Sequence, residues 1–171
     1  MDVVKIVIFF LMSLTLGCAT PGVSNKFSEF KDVNWKKMNR FEVEKALGKP
    51  DSTGALYKTD KEALVYLSAD KKQPQLIVVY DIKTNQIVGV QWYATRSSDE
   101  WTLQQARSKF PNTLFQNIPV EEESPWGERI ATYSSSESPL VINMNSQTQK
   151  LISLSWQFEK DEPAVRKPTS H

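Results

Sequence analysis

Two stretches of this sequence alternate apolar and polar residues in the same phase at a fixed separation. Trp92 plus 64 is Trp156, and the same offset carries Leu76 to Leu140, Val78 to Ile142, Tyr80 to Met144, Thr84 to Thr148, Val88 to Ile152 and Val90 to Leu154. Successive side chains of a strand point to opposite faces, so Leu76, Val78 and Tyr80 share a side, as do Val88, Val90 and Trp92, and their counterparts follow suit. Lys83-Thr84-Asn85-Gln86 is a polar turn between apolar runs, so each stretch reads as a hairpin. Identities are few. The face pattern, the turn length and the tryptophan all repeat, which favours duplication over coincidence in two unrelated hairpins.

A helical signal precedes each hairpin. Phe30, Val33, Trp35 and Met38 form a loosely amphipathic segment. Asn39 and Glu42 then have capping-box spacing, Val43, Ala46 and Leu47 supply an apolar face, Gly48 stands at a helix stop and Pro50 blocks continuation. In the second half, Trp101 to Phe110 is helical in character and Pro111 ends it. Strands are expected over 55–58, 63–68, 76–82 and 87–94, then over 113–120, 129–134, 140–144 and 151–158. A helix followed by antiparallel strands, twice, predicts an α+β fold of two tandem helix-plus-antiparallel-strand modules, 29–96 and 97–158. The helices should cover the faces that carry Trp92 and Trp156.

The start of the chain reads as an address. An apolar run from Ile6 to Leu16, broken only by Ser13 and Thr15, follows Lys5. It is shorter than the roughly 20 residues that span a bilayer and fits the apolar region of a secretory signal. Leu14-Thr15-Leu16-Gly17-Cys18 resembles the lipobox of bacterial lipoproteins, with a small residue just before the Cys. That resemblance implies a signal peptide over 1–17, a diacylglyceryl group on Cys18 as membrane anchor, and a tether over 18–28. With Ala19 rather than Asp after the Cys, it implies the periplasmic face of the outer membrane in a diderm host. An ordinary signal with an incidental Cys is the alternative. The end, 159–171, carries two prolines and alternating charge and reads as a disordered tail.

The run Phe41-Glu42-Val43-Glu44-Lys45-Ala46-Leu47-Gly48-Lys49-Pro50-Asp51 resembles the Val-x-x-x-Leu-Gly-x-Pro signature of the SmpA/OmlA (BamE-like) family of small outer-membrane lipoproteins. Ile82 to Val90 is similar to that family's closing hairpin. The resemblance implies a tandem fold like that of the β-lactamase inhibitor protein and a non-catalytic role in outer-membrane assembly or maintenance. It implies structural positions only, at Val43, Leu47, Gly48 and Pro50.

Composition narrows the function classes. A formal net charge of +1 over 171 residues gives no broad basic surface for nucleic acid. One Cys excludes paired-thiol metal and redox motifs, and one His, the terminal His171, leaves no nucleophile–base pair. No enzyme activity, metal or cofactor is expected. Asp51, Asp60, Asp70, Asp81 and Asp99 are scattered near turns, and Glu121-Glu122-Glu123 reads as a solvated loop or as a contact for a basic partner patch or a divalent cation. The outward face of the first hairpin is more telling. Ile77, Val79, Ile87, Gln91 and Tyr93 alternate away from the core-facing residues, whereas the matching face of the second hairpin carries Val141, Asn143, Leu151, Ser153, Ser155 and Gln157 and is more polar. Either the chain itself covers that apolar face or a partner does. The expectation is a protein-binding or scaffold lipoprotein with an envelope protein as partner. A periplasmic enzyme-inhibitor-like binding protein is the alternative.

Overall fold

Each repeated hairpin closes on the same turn chemistry. Asp81 Oδ1 accepts the Thr84 backbone N–H at 2.7 Å, and Asn145 Oδ1 accepts that of Thr148 at 2.9 Å. Asn85 and Gln149, at equivalent places, both stand at φ 57°, in the left-handed region that a short turn demands. The computed structural model describes residues 33–68, 72–95, 99–123 and 127–158. The proposed signal peptide, Cys18, the tether and the tail lie outside the described residues.

A 3-10 turn, Trp35–Lys37, leads into helix α1, Arg40–Leu47. Strands β1, Ser52–Ala55, β2, Lys61–Leu67, β3, Pro74–Asp81, and β4, Ile87–Tyr93, follow. Helix α2, Leu103–Ser108, opens the second half, which continues with β5, Val120–Glu123, β6, Arg129–Ser134, β7, Leu140–Asn145, and β8, Leu151–Gln157. The strands form one eight-stranded sheet in the order β1-β2-β3-β4-β8-β7-β6-β5, every neighbouring pair antiparallel. The second half therefore mirrors the first about the β4–β8 junction. Register irregularities also repeat, between Val79 and Tyr80 and between Asn143 and Met144.

The α+β expectation of two helix-plus-strand modules is overturned. Among the described residues, 45% are strand and 15% helix, a sheet-dominated fold with two short helices. Three physical causes account for it. Of the amphipathic segment around Trp35, the described part forms a single 3-10 turn. The helices are short: α1 stops after Leu47 because Gly48 takes φ 83°, and α2 starts only at Leu103 because Thr102 caps it. Lastly, β4 and β8 hydrogen-bond to each other, so the two hairpins fuse into one sheet.

Capping boxes hold both helix starts. Glu42 N–H donates to Asn39 Oδ1 at 3.0 Å while Asn39 N–H donates to Glu42 Oε2 at 2.8 Å. Thr102 and Gln105 repeat the exchange at 3.3 and 2.8 Å. Trp35, Val43 and Ala106 pack on one face of the sheet and form a single core with Leu64, Tyr66, Val78, Trp92, Ile142, Leu154 and Trp156. Trp92 is fully buried and stacks on Trp101, with centroids 5.6 Å apart and planes at 24°. Trp156, 8% exposed, meets Phe110 edge-on at 6.3 Å.

Two strands fall away from their expected places. β1 ends at Ala55, three residues before its expected end, because Leu56 to Thr59 form a turn with Lys58 at φ 57°. β5 begins at Val120, where the expected strand ends, and it holds the acidic run. Glu121, Glu122 and Glu123 pair with Ala131, Ile130 and Arg129 at the sheet edge, all three exposed. Water screens their mutual repulsion there, and a charged edge strand resists pairing with other chains.

Candidate functional site

The face of the sheet away from the helices divides sharply in character. On β2 and β3 it carries Ala63, Val65 and Ile77, which are buried against one another, with half-buried Leu56, Leu67, Val79 and Tyr93 packed around them. Among the described residues, this cluster is built from sheet residues and Leu56 alone. Ile77 is only 5% exposed, so the accessible apolar surface comes mainly from its neighbours.

Of the four residues expected on this face, the structure brings together Ile77, Val79 and Tyr93. Ile87 lies elsewhere: it is 3% exposed and belongs to the main core. The cause is the register irregularity at Val79/Tyr80. Gly89 pairs with Val79 but Ile87 pairs with Tyr80, so Val88 is the extra residue and alternation reverses beyond it. Leu151, the counterpart of Ile87, is turned into the core at the equivalent place.

On the second half, the same face carries a polar ladder. Thr132 Oγ1 donates to Asn143 Oδ1 at 3.1 Å. Asn143 Nδ2 donates to Ser153 Oγ at 3.0 Å and to Ser155 Oγ at 3.4 Å. Gln91, on β4, donates through Nε2 to Ser153 Oγ at 3.1 Å, and so joins the first half to the ladder. A shallow hollow of about 100 Å³ lies at the boundary, with Leu56, Ile77 and Val79 on one side and Gln91, Ser155 and Gln157 on the other. The outward positions named here carry no charge, while Lys61 and Asp81 pair across β2 and β3 two residues beyond Ala63 and Val79, on the same side by alternation.

Ionisable groups gather on the other side, around α1. Arg40 Nε donates to Glu44 Oε1 at 2.7 Å, its Nη1 reaches Glu62 Oε2 at 3.5 Å and the Tyr80 hydroxyl, and its guanidinium lies 5.1 Å over the Tyr80 ring. Tyr80 donates in turn to Glu62. Burial, aided by that hydrogen bond, pushes the Tyr80 hydroxyl up to about 12. Burial also raises Tyr66, whose hydroxyl donates to the Gly48 carbonyl at 3.2 Å. These contacts tie α1 to β2 and β3. The sequence reading missed them, because only the sheet order brings Arg40, Glu62 and Tyr80 together.

The scattered aspartates serve local structure. Asp51 Oδ2 accepts the Leu67 N–H at 2.8 Å, Asp60 pairs with Lys83 at 2.7 Å, and the Thr84 N–H holds the Asp81 carboxyl below the usual carboxylate range. Asp70 lies outside the described residues. Among the described residues, no group of three or more His, Cys, Asp or Glu is placed to hold a metal ion, and no helix is long and apolar enough to cross a membrane. No family model matches the chain, and neither a curated protein nor a solved structure matches it.

Proposed function

We propose that this chain is a non-catalytic binding or scaffold lipoprotein of the bacterial envelope, anchored through an acylated Cys18 and joined to another envelope protein through the outward sheet face. The observation that carries this reading is the second apolar cluster. Ala63, Val65, Ile77, Val79 and Tyr93 gather on the face opposite the helices, where the two-fold-related half has Asn143, Ser153 and Ser155 beside Val141. The fold builds that more polar version with the equivalent strand order, so it does not require a full apolar cluster there. An apolar patch that a fold does not require is a common mark of a partner surface.

The lipobox-like Leu14 to Cys18 supports the envelope location, and the likeness of Val43 to Pro50 to the SmpA/OmlA signature supports a place among small outer-membrane lipoproteins. The test is site-specific photocrosslinking in cells. A crosslinking residue at Val79 should yield one dominant adduct with an envelope protein, and the same residue at Glu122 on the acidic edge should not. Equal adducts from both positions would overturn the reading. A soluble hydrolase as the adduct would favour an inhibitor over a scaffold.

A further inference from the structure

The two outer edges of the sheet are unlike. β5 closes one with exposed Glu121, Glu122 and Glu123, and charge guards that edge against further pairing. β1 forms the other, and its Ser52-Thr53-Gly54-Ala55 is uncharged and exposed from Thr53 onward. Register fixes which backbone groups are open there. Leu56 N–H donates to the Lys61 carbonyl and Ile82 N–H to the Asp60 carbonyl, so odd-numbered residues of β2 bond to β1 and even-numbered ones to β3. Gly54 and Ala63 are then a hydrogen-bonded pair. The N–H and C=O of Thr53 and of Ala55 point away from β2, where no strand among the described residues pairs with them. Gly54 adds an independent observation. Its φ is not positive, and a Cβ built on it would meet no atom within 4 Å. The single chain does not need glycine at that place, where glycine weakens a strand and often marks the close approach of another backbone.

We infer that β1 pairs antiparallel with β1 of a second copy of this chain, about a two-fold axis through Gly54. The register follows from the open groups. Thr53 and Ala55 exchange hydrogen bonds with Ala55 and Thr53 of the other copy, and the two Gly54 residues face each other at the closely spaced position between them. A strand paired with its own copy meets its own sequence reversed, so a charge near the axis would meet its like. From Ser52 to Tyr57 there is none. The flanks are mixed, Lys49 and Asp51 before and Lys58 and Asp60 after, so the reversal sets no like-charged run against another. β5 cannot pair in this way, because Glu121 to Glu123 would oppose one another, and that closed edge limits the assembly to two chains. The axis stands perpendicular to the sheet, so the Ala63, Val65 and Ile77 clusters of both copies lie on the same side. A four-residue strand buries far less than the roughly 1,200 Å² of a stable interface, so the dimer is transient in solution and favoured where an anchor crowds the chains.

The experiment oxidises the full chain carrying Cys18→Ser and Gly54→Cys, so that the introduced thiol stands alone. At the closely spaced position of an antiparallel pair the Cα atoms are about 4.5 Å apart, within reach of a disulfide. A covalent dimer is expected, and its yield should rise with protein concentration. Glu122→Cys in the same Cys18→Ser background, on the guarded edge, should give about tenfold less. Two further changes are added in turn to Gly54→Cys. Thr53→Pro removes an outward N–H but no bond to β2, and Thr53→Glu gives β1 the charge that guards β5. Each should lower the yield about tenfold. Thermal unfolding checks that every variant keeps its fold, and Thr53→Glu carries the test if Thr53→Pro does not. A yield at position 54 no greater than at position 122, or one that neither change lowers, would overturn the inference.

Discussion

Gln91 lies directly opposite Ser155 across the β4–β8 junction, and Ser155 is its own counterpart at the 64-residue offset. The neighbouring pairs exchange about that point: Val90 faces Trp156 and Trp92 faces Leu154. The two halves therefore meet about an approximate two-fold axis through the middle of the sheet. One repeated hairpin supplies both sides of the junction, and the axis emerges where the apolar and polar halves of the outward face join.

The tryptophans on either side of that axis should anchor the shared core. Trp92→Ala is expected to cost about 3–5 kcal/mol, since it removes a fully buried indole and its stack on Trp101. Trp156→Ala should fall near the lower end of that range, because Trp156 keeps a little exposure and an edge contact with Phe110. Urea unfolding measures both. A loss below about 1 kcal/mol at either site would contradict a core shared by the two halves.

Alternation alone suggests that Ile77 can be exchanged for a polar residue without loss of stability. Its 5% exposure argues otherwise. Ile77→Ser should cost about 2 kcal/mol or more, whereas Tyr93→Ala should cost less, because Tyr93 is only half-buried. Equal and negligible losses would mean that the second cluster contributes nothing to folding.

The two capping boxes give a paired comparison. Asn39→Ala and Thr102→Ala should each lower stability by about 1 kcal/mol, with an unchanged denaturant slope. A Gly48→Ala variant should also lose stability. No atom blocks a Cβ there, so the loss comes from φ 83° alone. A neutral Gly48→Ala would place the end of α1 in another conformation.

Alkaline stability reports on Tyr80. Its folded-state hydroxyl is raised from 10.0 to about 12, so folding favours the neutral phenol. The associated stability is fully present below about pH 10 and is lost as pH rises from there through about 12, because the unfolded chain releases its proton first. Urea midpoints should decline over that window, and Tyr80→Phe should make the decline shallower. An identical slope in the variant would remove Tyr80 from this role.

The anchor is tested in cells. Cys18→Ser should abolish labelling by a fatty-acid probe and either release the chain from the membrane fraction or leave an unprocessed precursor. Undiminished labelling of the variant would exclude Cys18 as the acylation site.

Much of the strand pattern was legible in the sequence. Local rules fixed the hairpin turn at Lys83 to Gln86, the capping box at Asn39 and Glu42, and the stop at Gly48. Period-two alternation placed Leu76, Val78, Val90 and Trp92 on the core side, and the 64-residue offset carried that assignment to Leu140, Ile142, Leu154 and Trp156. Each of these depends on groups a few residues apart, or on a period the chain itself displays.

Three things were settled only by tertiary pairing. The extra residues at Val88 and Ile152 turned Ile87 and Leu151 inward, because a bulge is defined by what lies across the ladder, and strict alternation cannot register it. Hydrogen bonding between β4 and β8 made one sheet-dominated fold out of two expected helix-plus-strand modules. That choice belongs to the pairing of β4 with β8, two strands about 60 residues apart, which no local pattern records. Gln91 acquired its place beside Ser153, from 62 positions away, through the same pairing. Outside the bulges, the sequence by itself determined which hairpin residues face a core, since burial of apolar side chains is written in their spacing. Which strands share that core, and which strand edge is left open, follow from register between distant segments, and only the folded chain supplies it.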